Sequence, residues 1–245
     1  MKAVTDFGFR QVSALEKTRR VRGVFDSVAA RYDLMNDLMS VGLHRHWKAA
    51  FVEWLRPRPY MRVLDLAGGT GDIAFRIQQS GVKQLTVADI NQEMLSIGIE
   101  RAKKRNISSV IQWLCTNGEN LPLPNASLDV VTCAFGLRNM TEKKAVLSEI
   151  FRVLRLGGRF LCLEFSRVVL PGITRIYDSY SLNVIPRLGG LVVKDEKSYQ
   201  YLVESIRTFP SQSEFAEMIL HAGLSRVEFR NLSGGIIAMH SAWKI

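Results

Sequence analysis

Residues Arg62-Val63-Leu64-Asp65-Leu66 form a short apolar run that breaks into Ala67-Gly68-Gly69-Thr70-Gly71-Asp72, and the apolar helical pattern Ile73, Ala74, Ile77 follows at once. No other stretch constrains the fold as much. The order reads as strand, tight turn, helix. Glycines at such a turn let the backbone approach a ligand closely, and the helix behind it aims free N–H groups at the same spot. This geometry suits a nucleotide-like cofactor.

The spelling of the turn narrows the cofactor. Gly69 and Gly71 make G-x-G, with Ala74 at the third glycine position of the dinucleotide fingerprint, a tolerated change. The acids say more. Asp72 stands directly after the turn, where it would repel a pyrophosphate by like charge. S-adenosylmethionine has no phosphate and carries a sulfonium and an ammonium, so Asp65 and Asp72 favour it. The next apolar strand, Leu85 to Ile90, contains Asp89, which lies 18 residues after Gly71, close to the spacing of about 20 for an acid that binds ribose hydroxyls. The plain alternative makes Asp89 an ordinary helix-start residue, with Asn91 able to cap the helix from Gln92 onward.

Strand-like runs recur at 62–66, 84–89, 110–115, 129–135 and 158–164, with two late ones near 225–231 and 236–243. Helical patterns are expected between the first five; in Thr141–Leu154, residues Val146, Leu147, Ile150 and Val153 share one face. Alternating strands and helices imply an α/β fold with a parallel sheet. The late pair, joined by Asn231-Leu232-Ser233-Gly234-Gly235, should end the sheet as an antiparallel hairpin. Ligands of open α/β sheets bind beyond the carboxyl ends of the strands, so the loops after 66, 89, 115 and 135 should line one pocket. One domain over 1–245 is expected, with an N-terminal helical region within 1–60 over the pocket and a helical insertion at 171–208. The first twenty or so residues are polar and read as poorly ordered; Phe25, Val28, Ala29 and Tyr32 begin the helical region.

Bulk properties bound the rest. No run of 18 apolar residues occurs, and the N-terminus lacks the apolar core of a signal peptide. Cys115, Cys133 and Cys162 match no zinc spacing and read as buried thiols of a reducing compartment. Thirty-three basic against 23 acidic residues give a net charge of +10, with clusters at Lys17, Arg19, Arg20, Arg22 and at Arg101, Lys103, Lys104, Arg105. Such clusters are solvated faces, a nucleic-acid site or a contact with an anionic membrane. No interleaved aromatics accompany them, which disfavours nucleic acid.

Longer motifs carry a resemblance. Tyr32-Asp33-Leu34-Met35-Asn36 leading to Ser40, His44 and Trp47 resembles the Y-D-x-M-N…S…H-x-x-W signature of the ubiquinone/menaquinone-biosynthesis C-methyltransferases, a family of Rossmann-like class I S-adenosylmethionine-dependent methyltransferases. Arg152-Val153-Leu154-Arg155-Leu156-Gly157-Gly158 leading to Leu163-Glu164-Phe165-Ser166 is similar to the family's second signature, with Arg155-Leu156 in place of Lys-Pro. Phe135-Gly136-Leu137-Arg138-Asn139 matches F-G-[IL]-R-N. The likeness runs from about Phe25 to the C-terminus. It implies a mostly parallel seven-stranded sheet with helices on both faces. It also implies C-methylation of a polyprenylated quinol precursor, a methoxy-benzoquinol or demethylmenaquinol, without a metal.

The resemblance further implies cofactor contacts at Thr70, Asp89 and Asn117-Gly118, beside those expected of Asp65, Gly69 and Gly71. Ala134 stands where family members carry serine, so only a backbone contact remains there. A quinol ring carbon becomes nucleophilic when a ring hydroxyl loses its proton, so the site must align the reactants and stabilise a phenolate. Arg138 is expected to stabilise that anion, Tyr32 or Asp33 to hold a proton-accepting water, and Asn139 to orient the ring. The alternatives are a structural ion pair for Arg138 and plain helix packing for Tyr32. His44 reads as a hydrogen-bonded structural residue, Trp47 as core, and Glu164 and Ser166 as structural. Met35 and Met39 suit either the core or a polyprenyl tail, and Leu182, Val184 and Ile185 would line a tail entrance.

Other functions compete. A short-chain nicotinamide-dependent oxidoreductase would need a Tyr with a Lys four residues on, and no tyrosine has one. An O-methyltransferase would share the cofactor site, and an RNA-binding module would use the charge. The expected partners are the quinol and an anionic membrane surface, met from the cytoplasmic side by peripheral association, together with a homodimer or a complex of quinone-biosynthesis enzymes.

Overall fold

Alternation of side chains along the strands decides the architecture. The computed structural model describes residues 4–29, 34, 36–37, 40–170, 172 and 196–245. Two short strands, β1 (Val4–Phe7) and β2 (Arg10–Ser13), pair antiparallel, and Ser13 caps α1 (Ala14–Val28) by accepting the Glu16 N–H at 3.3 Å. α2 (His44–Leu55) ends where Arg56 turns left-handed, at φ 53°, ahead of Pro57. β3 (Arg62–Leu66), α3 (Asp72–Gln78), β4 (Gln84–Asp89), α4 (Gln92–Lys104) and β5 (Ile111–Cys115) follow. Then come β6 (Leu128–Ala134), α5 (Lys143–Val153), β7 (Leu154–Phe165), α6 (Glu196–Thr208), α7 (Gln212–His221), β8 (Ser225–Leu232) and β9 (Ile237–Trp243).

The seven-stranded sheet has the order β5-β4-β3-β6-β7-β9-β8, and only β9 runs antiparallel to its neighbours. Alternate residues feed two cores. Val63, Val87, Val130, Leu161 and Leu163 face α2, α3, α4 and α6 through Phe51, Phe75, Leu95 and Leu202. Leu64, Leu66, Val131, Phe160 and Cys162 face α5 and α7 through Leu147, Ile150 and Phe215. The expected face of α5, Val146, Leu147, Ile150 and Val153, is wholly buried. Helices on both faces follow from strands that are apolar on both sides.

Several expectations need correction. No helix joins β5 to β6; residues 116–127 are turns and extended chain. β6 stops at Ala134, because Phe135 adopts a left-handed φ of 58°. Cys115 is exposed, while Cys133 and Cys162 are buried. The N-terminal segment is ordered by distant contacts. Phe7 stacks on Tyr201 at 4.1 Å, and the Phe9 N–H donates to Glu204 at 3.1 Å. α1 begins at Ala14, ahead of the expected Phe25. Lys17 is no surface charge: it is 2% exposed and its Nζ donates to the Met140 carbonyl at 3.2 Å. Burial, with Lys143 close by, brings its pKa down to about 8. Of the expected insertion, 196–208 is helical. Leu182, Val184, Ile185, Met35, Met39, Tyr32 and Asp33 lie outside the described residues.

Candidate active site

The glycine turn crosses from β3 to α3 at the carboxyl end of the sheet. Gly69 (φ 52°) faces the open side, where an added Cβ would come within 3.0 Å of Met94 Cε and 3.8 Å of Asp89 Oδ2. Gly71 (φ 83°) faces inward, where a Cβ would press on Trp113 Cη2 at 2.8 Å. Gly69 therefore clears space for a ligand. Gly71 clears space for the Phe75–Trp113 pair and lines neither cavity described below.

Two adjoining cavities lie beyond the strand ends and share Ala67 and Phe135 as wall. The larger encloses about 790 Å³ including its open mouth. Gly69, Asp89, Asn117, Gly118 and Asn139 line it, and one stripe of α1 (Thr18, Val21, Arg22, Phe25) covers it. The smaller is lined by Lys48, Asp65, Thr70, Asp72 and Ala134. All the expected cofactor residues except Gly71 thus meet across one shared wall.

Asp89 is fixed by two backbone donors: Gly69 N–H to Oδ2 and Asn91 N–H to Oδ1, both at 2.9 Å. Asn91 supplies the helix cap, accepting the Met94 N–H at 3.0 Å, which leaves the Asp89 carboxylate turned to the cleft. Burial raises its pKa to about 6 against the pull of those donors. Asp65 is 1% exposed; its Oδ1 accepts from Thr132 Oγ1 at 2.8 Å, while its Oδ2 has no partner. Burial pushes Asp65 up to about 7. A buried carboxylate oxygen without a donor is costly, and a cationic group in the smaller cavity would satisfy it. Thr70 Oγ1 accepts from Arg101 Nη1 at 3.1 Å.

Asp72 departs from its expected part. Its Oδ2 pairs with the buried Lys48 ammonium at 2.8 Å and its Oδ1 with Arg76 at 3.2 Å. Burial alone would raise its pKa, but these two cations outweigh it and hold the carboxyl below the ordinary range. Asp72 is thus already neutralised, and the orphaned oxygen of Asp65 carries the preference for a cation. No local pattern signalled Lys48. Of the α1 stripe, only Phe25 belongs to the helical spacing read from the sequence; Thr18 falls in the stretch expected to be poorly ordered.

Arg138 and Asn139 part company. Arg138 is 5% exposed and absent from both cavity walls; its Nη1 donates to Glu164 Oε1 at 2.8 Å and to the Phe135 carbonyl at 2.6 Å, and its Nε to Ser205 at 3.3 Å. Three of its five N–H donors thus go to the protein, and this arrangement favours the structural alternative over the expected phenolate contact. Asn139 does reach the larger cavity. His44 is buried and bonded to Asp37 at 2.9 Å, and His46 is exposed. Trp47 is buried, and Ser211 with Glu214 forms a complete capping box.

Known proteins resemble this chain along most of its length. The ubiE/COQ5 methyltransferase family matches residues 13–244. The ubiquinone/menaquinone biosynthesis C-methyltransferase UbiE of Methylobacterium nodulans is 56% identical over 98% of this chain and 97% of its own length. The protein of the same name from Rhizobium leguminosarum bv. trifolii is 53% identical over 98% and 95%. Among solved structures, a SAM-dependent methyltransferase from Thermotoga maritima superposes with a TM-score of 0.64 at 16% identity, covering 92% of this chain and 100% of that one, a likeness of fold.

Proposed function

The chain belongs to the ubiE/COQ5 methyltransferase family, and from that premise we propose that it C-methylates a polyprenylated quinol precursor, a benzoquinol or a naphthoquinol, in ubiquinone or menaquinone biosynthesis, with S-adenosylmethionine as methyl donor. The observation that carries this reading is the 56% identity, almost end to end, with an enzyme of that name.

Bound S-adenosylmethionine supplies an electrophilic methyl group. The chain's own residues bind, align and exclude water. Asp89 offers two carboxylate oxygens, already oriented by Gly69 and Asn91, to the ribose hydroxyls. Asp65, with its unpartnered Oδ2, and Thr70 hold the cationic methionine end in the smaller cavity. Phe135, the shared wall, separates the two halves of the site. The α1 stripe walls the larger cavity on one side. Asn139 holds the acceptor ring through a ring oxygen, and the geometry of approach supplies most of the acceleration. Arg138 acts through Phe135, whose left-handed backbone it braces by bonding the carbonyl.

The acceptor's tail places the enzyme at a membrane. No described helix is long and apolar enough to cross one; the acceptor's tail and the basic surface are what support a peripheral association from the cytoplasmic side. Val41, Leu43, Val169 and Leu170 are all exposed. They lie at the carboxyl end of the sheet, where Trp47 bonds Ser233 and the Val169 N–H bonds Gly234. They support an apolar contact at that end of the sheet, to which the net charge of +10 adds attraction to anionic lipid.

The test is direct. Purified protein, methyl-labelled S-adenosylmethionine and a chemically reduced prenylated quinol are combined, and the label is located by NMR. Label on a ring carbon is the expected result. Label on oxygen, or no transfer to any reduced quinol, overturns the reading.

A further inference from the structure

We propose that Tyr201, on α6, is a positioning residue that fixes the side-chain amide of Asn139 with its N–H face toward the acceptor; this rests on the C-methyltransferase reading. Asn139 is 7% exposed and lines the larger cavity. Its Oδ1 accepts the Tyr201 hydroxyl at 3.1 Å. Its Nδ2 donates to the Phe135 carbonyl at 3.4 Å, an oxygen that also receives Arg138 Nη1. Both contacts demand the same orientation. A carbonyl accepts only from Nδ2, and with Nδ2 turned there, Oδ1 meets the phenol as its acceptor. The second Nδ2–H has no partner among the described residues, on a residue that lines the larger cavity. It is a donor suited to the developing oxyanion of a phenolic ring.

The arrangement holds Tyr201 tightly. Its ring is 4% exposed and stacks on Phe7 at 4.1 Å with planes 14° apart. Burial raises the phenol's pKa well above its ordinary value, so the hydroxyl stays a donor at all working pH. Without that hydroxyl, Oδ1 would be buried without a donor, and the amide would gain by turning over to seek one. A turned amide presents an acceptor to the ring oxygen, where repulsion replaces attraction. Asn139 thus serves the acceptor, and Tyr201 keeps it in register from outside the cavity.

The test is a double-mutant cycle read as kcat/KM for the reduced quinol, with cofactor Kd measured by calorimetry. Tyr201→Phe keeps the ring and removes one hydroxyl. It should lower kcat/KM about fivefold to tenfold, the worth of one hydrogen bond, while the cofactor Kd stays within twofold. In an Asn139→Ala background the same change should have no effect, because its target is gone. An unchanged kcat/KM, an equal loss in the Asn139→Ala background, or a parallel rise in cofactor Kd overturns the proposal. Asn139→Asp gives a check that does not depend on Tyr201→Phe folding. It retains an acceptor for Tyr201 but loses the N–H face, so it should be as impaired as Asn139→Ala, and wild-type turnover would refute the idea. Wild-type protein that methylates no reduced quinol overturns the functional reading and the proposal with it, whereas active wild type beside an equally active Tyr201→Phe overturns the proposal alone.

Discussion

Arg138 and Glu164 form an ion pair of 2.8 Å, Nη1 to Oε1, with side chains only 3% and 1% exposed. Glu164 Oε2 accepts the Arg138 backbone N–H as well. The pair joins the end of β7 to the loop after β6, directly behind the wall shared by the two cavities. Its guanidinium also lies 5.4 Å from the Phe165 ring.

Breaking this pair should cost stability first and catalysis second. Arg138→Ala leaves Glu164 buried without its cation, a loss of about 3–5 kcal/mol. A large fall in melting temperature is expected, with turnover impaired because Phe135 loses its brace. A variant that melts like wild type yet loses turnover alone would restore the acceptor-facing role.

Asp89→Ala should weaken S-adenosylmethionine binding at least tenfold. Two hydrogen bonds to a charged acceptor go, at roughly 1.5–3 kcal/mol each, and the Gly69 and Asn91 N–H groups lose their partner. Calorimetry checks this. Unchanged affinity in a folded variant would remove Asp89 from the cofactor site.

Stability without cofactor should fall as pH rises from about 5 to 7. Burial lifts Asp65 to about 7 and Asp89 to about 6, against an ordinary 3.8. Raised carboxyl pKa values mean that the native state holds protons the unfolded chain has released. The stabilising contribution is complete below the unfolded pKa and disappears through pH 6 and 7, at up to about 1.4 kcal/mol per pH unit for each group. Asp65→Asn removes one of the two. Its melting temperature should exceed that of wild type at pH 8 while its cofactor affinity drops. An unaltered pH slope in the variant would show that Asp65 does not titrate in this range.

Vesicle binding should have two components. A salt-sensitive part reflects the basic surface, roughly 1 kcal/mol per Lys or Arg near an anionic bilayer. A salt-resistant part reflects the exposed apolar residues Val41, Leu43, Val169 and Leu170. Val41→Asp with Leu43→Asp should remove the second and leave the first, as measured by co-sedimentation across a salt series. Failure of wild type to sediment with anionic vesicles at low salt would mean that another protein delivers the quinol.

The amino-acid sequence by itself determined whatever depends on short-range rules. Period-two and period-3.6 patterns set the strands and α5, because they report which sides of an element must leave water. The glycine turn and Asp89 pointed to the cavity that Gly69 and Asp89 line together, because few residue types permit that backbone. The Asn231–Gly235 turn set the antiparallel pair. Tertiary structure alone decided where long polar side chains spend their charge. Lys48 closes on Asp72, Lys17 on the Met140 carbonyl, Arg138 on Glu164 and Tyr201 on Asn139. Each pair spans 24 or more residues. A flexible polar side chain can point to water or to the interior with equal ease in its own segment; which it does depends on what distant segments bring beside it, and no local periodicity carries that information. For that reason Arg138 reads as catalytic from its motif and as structural from its surroundings, and the residue that holds Asn139 in place lies on a helix 62 residues away.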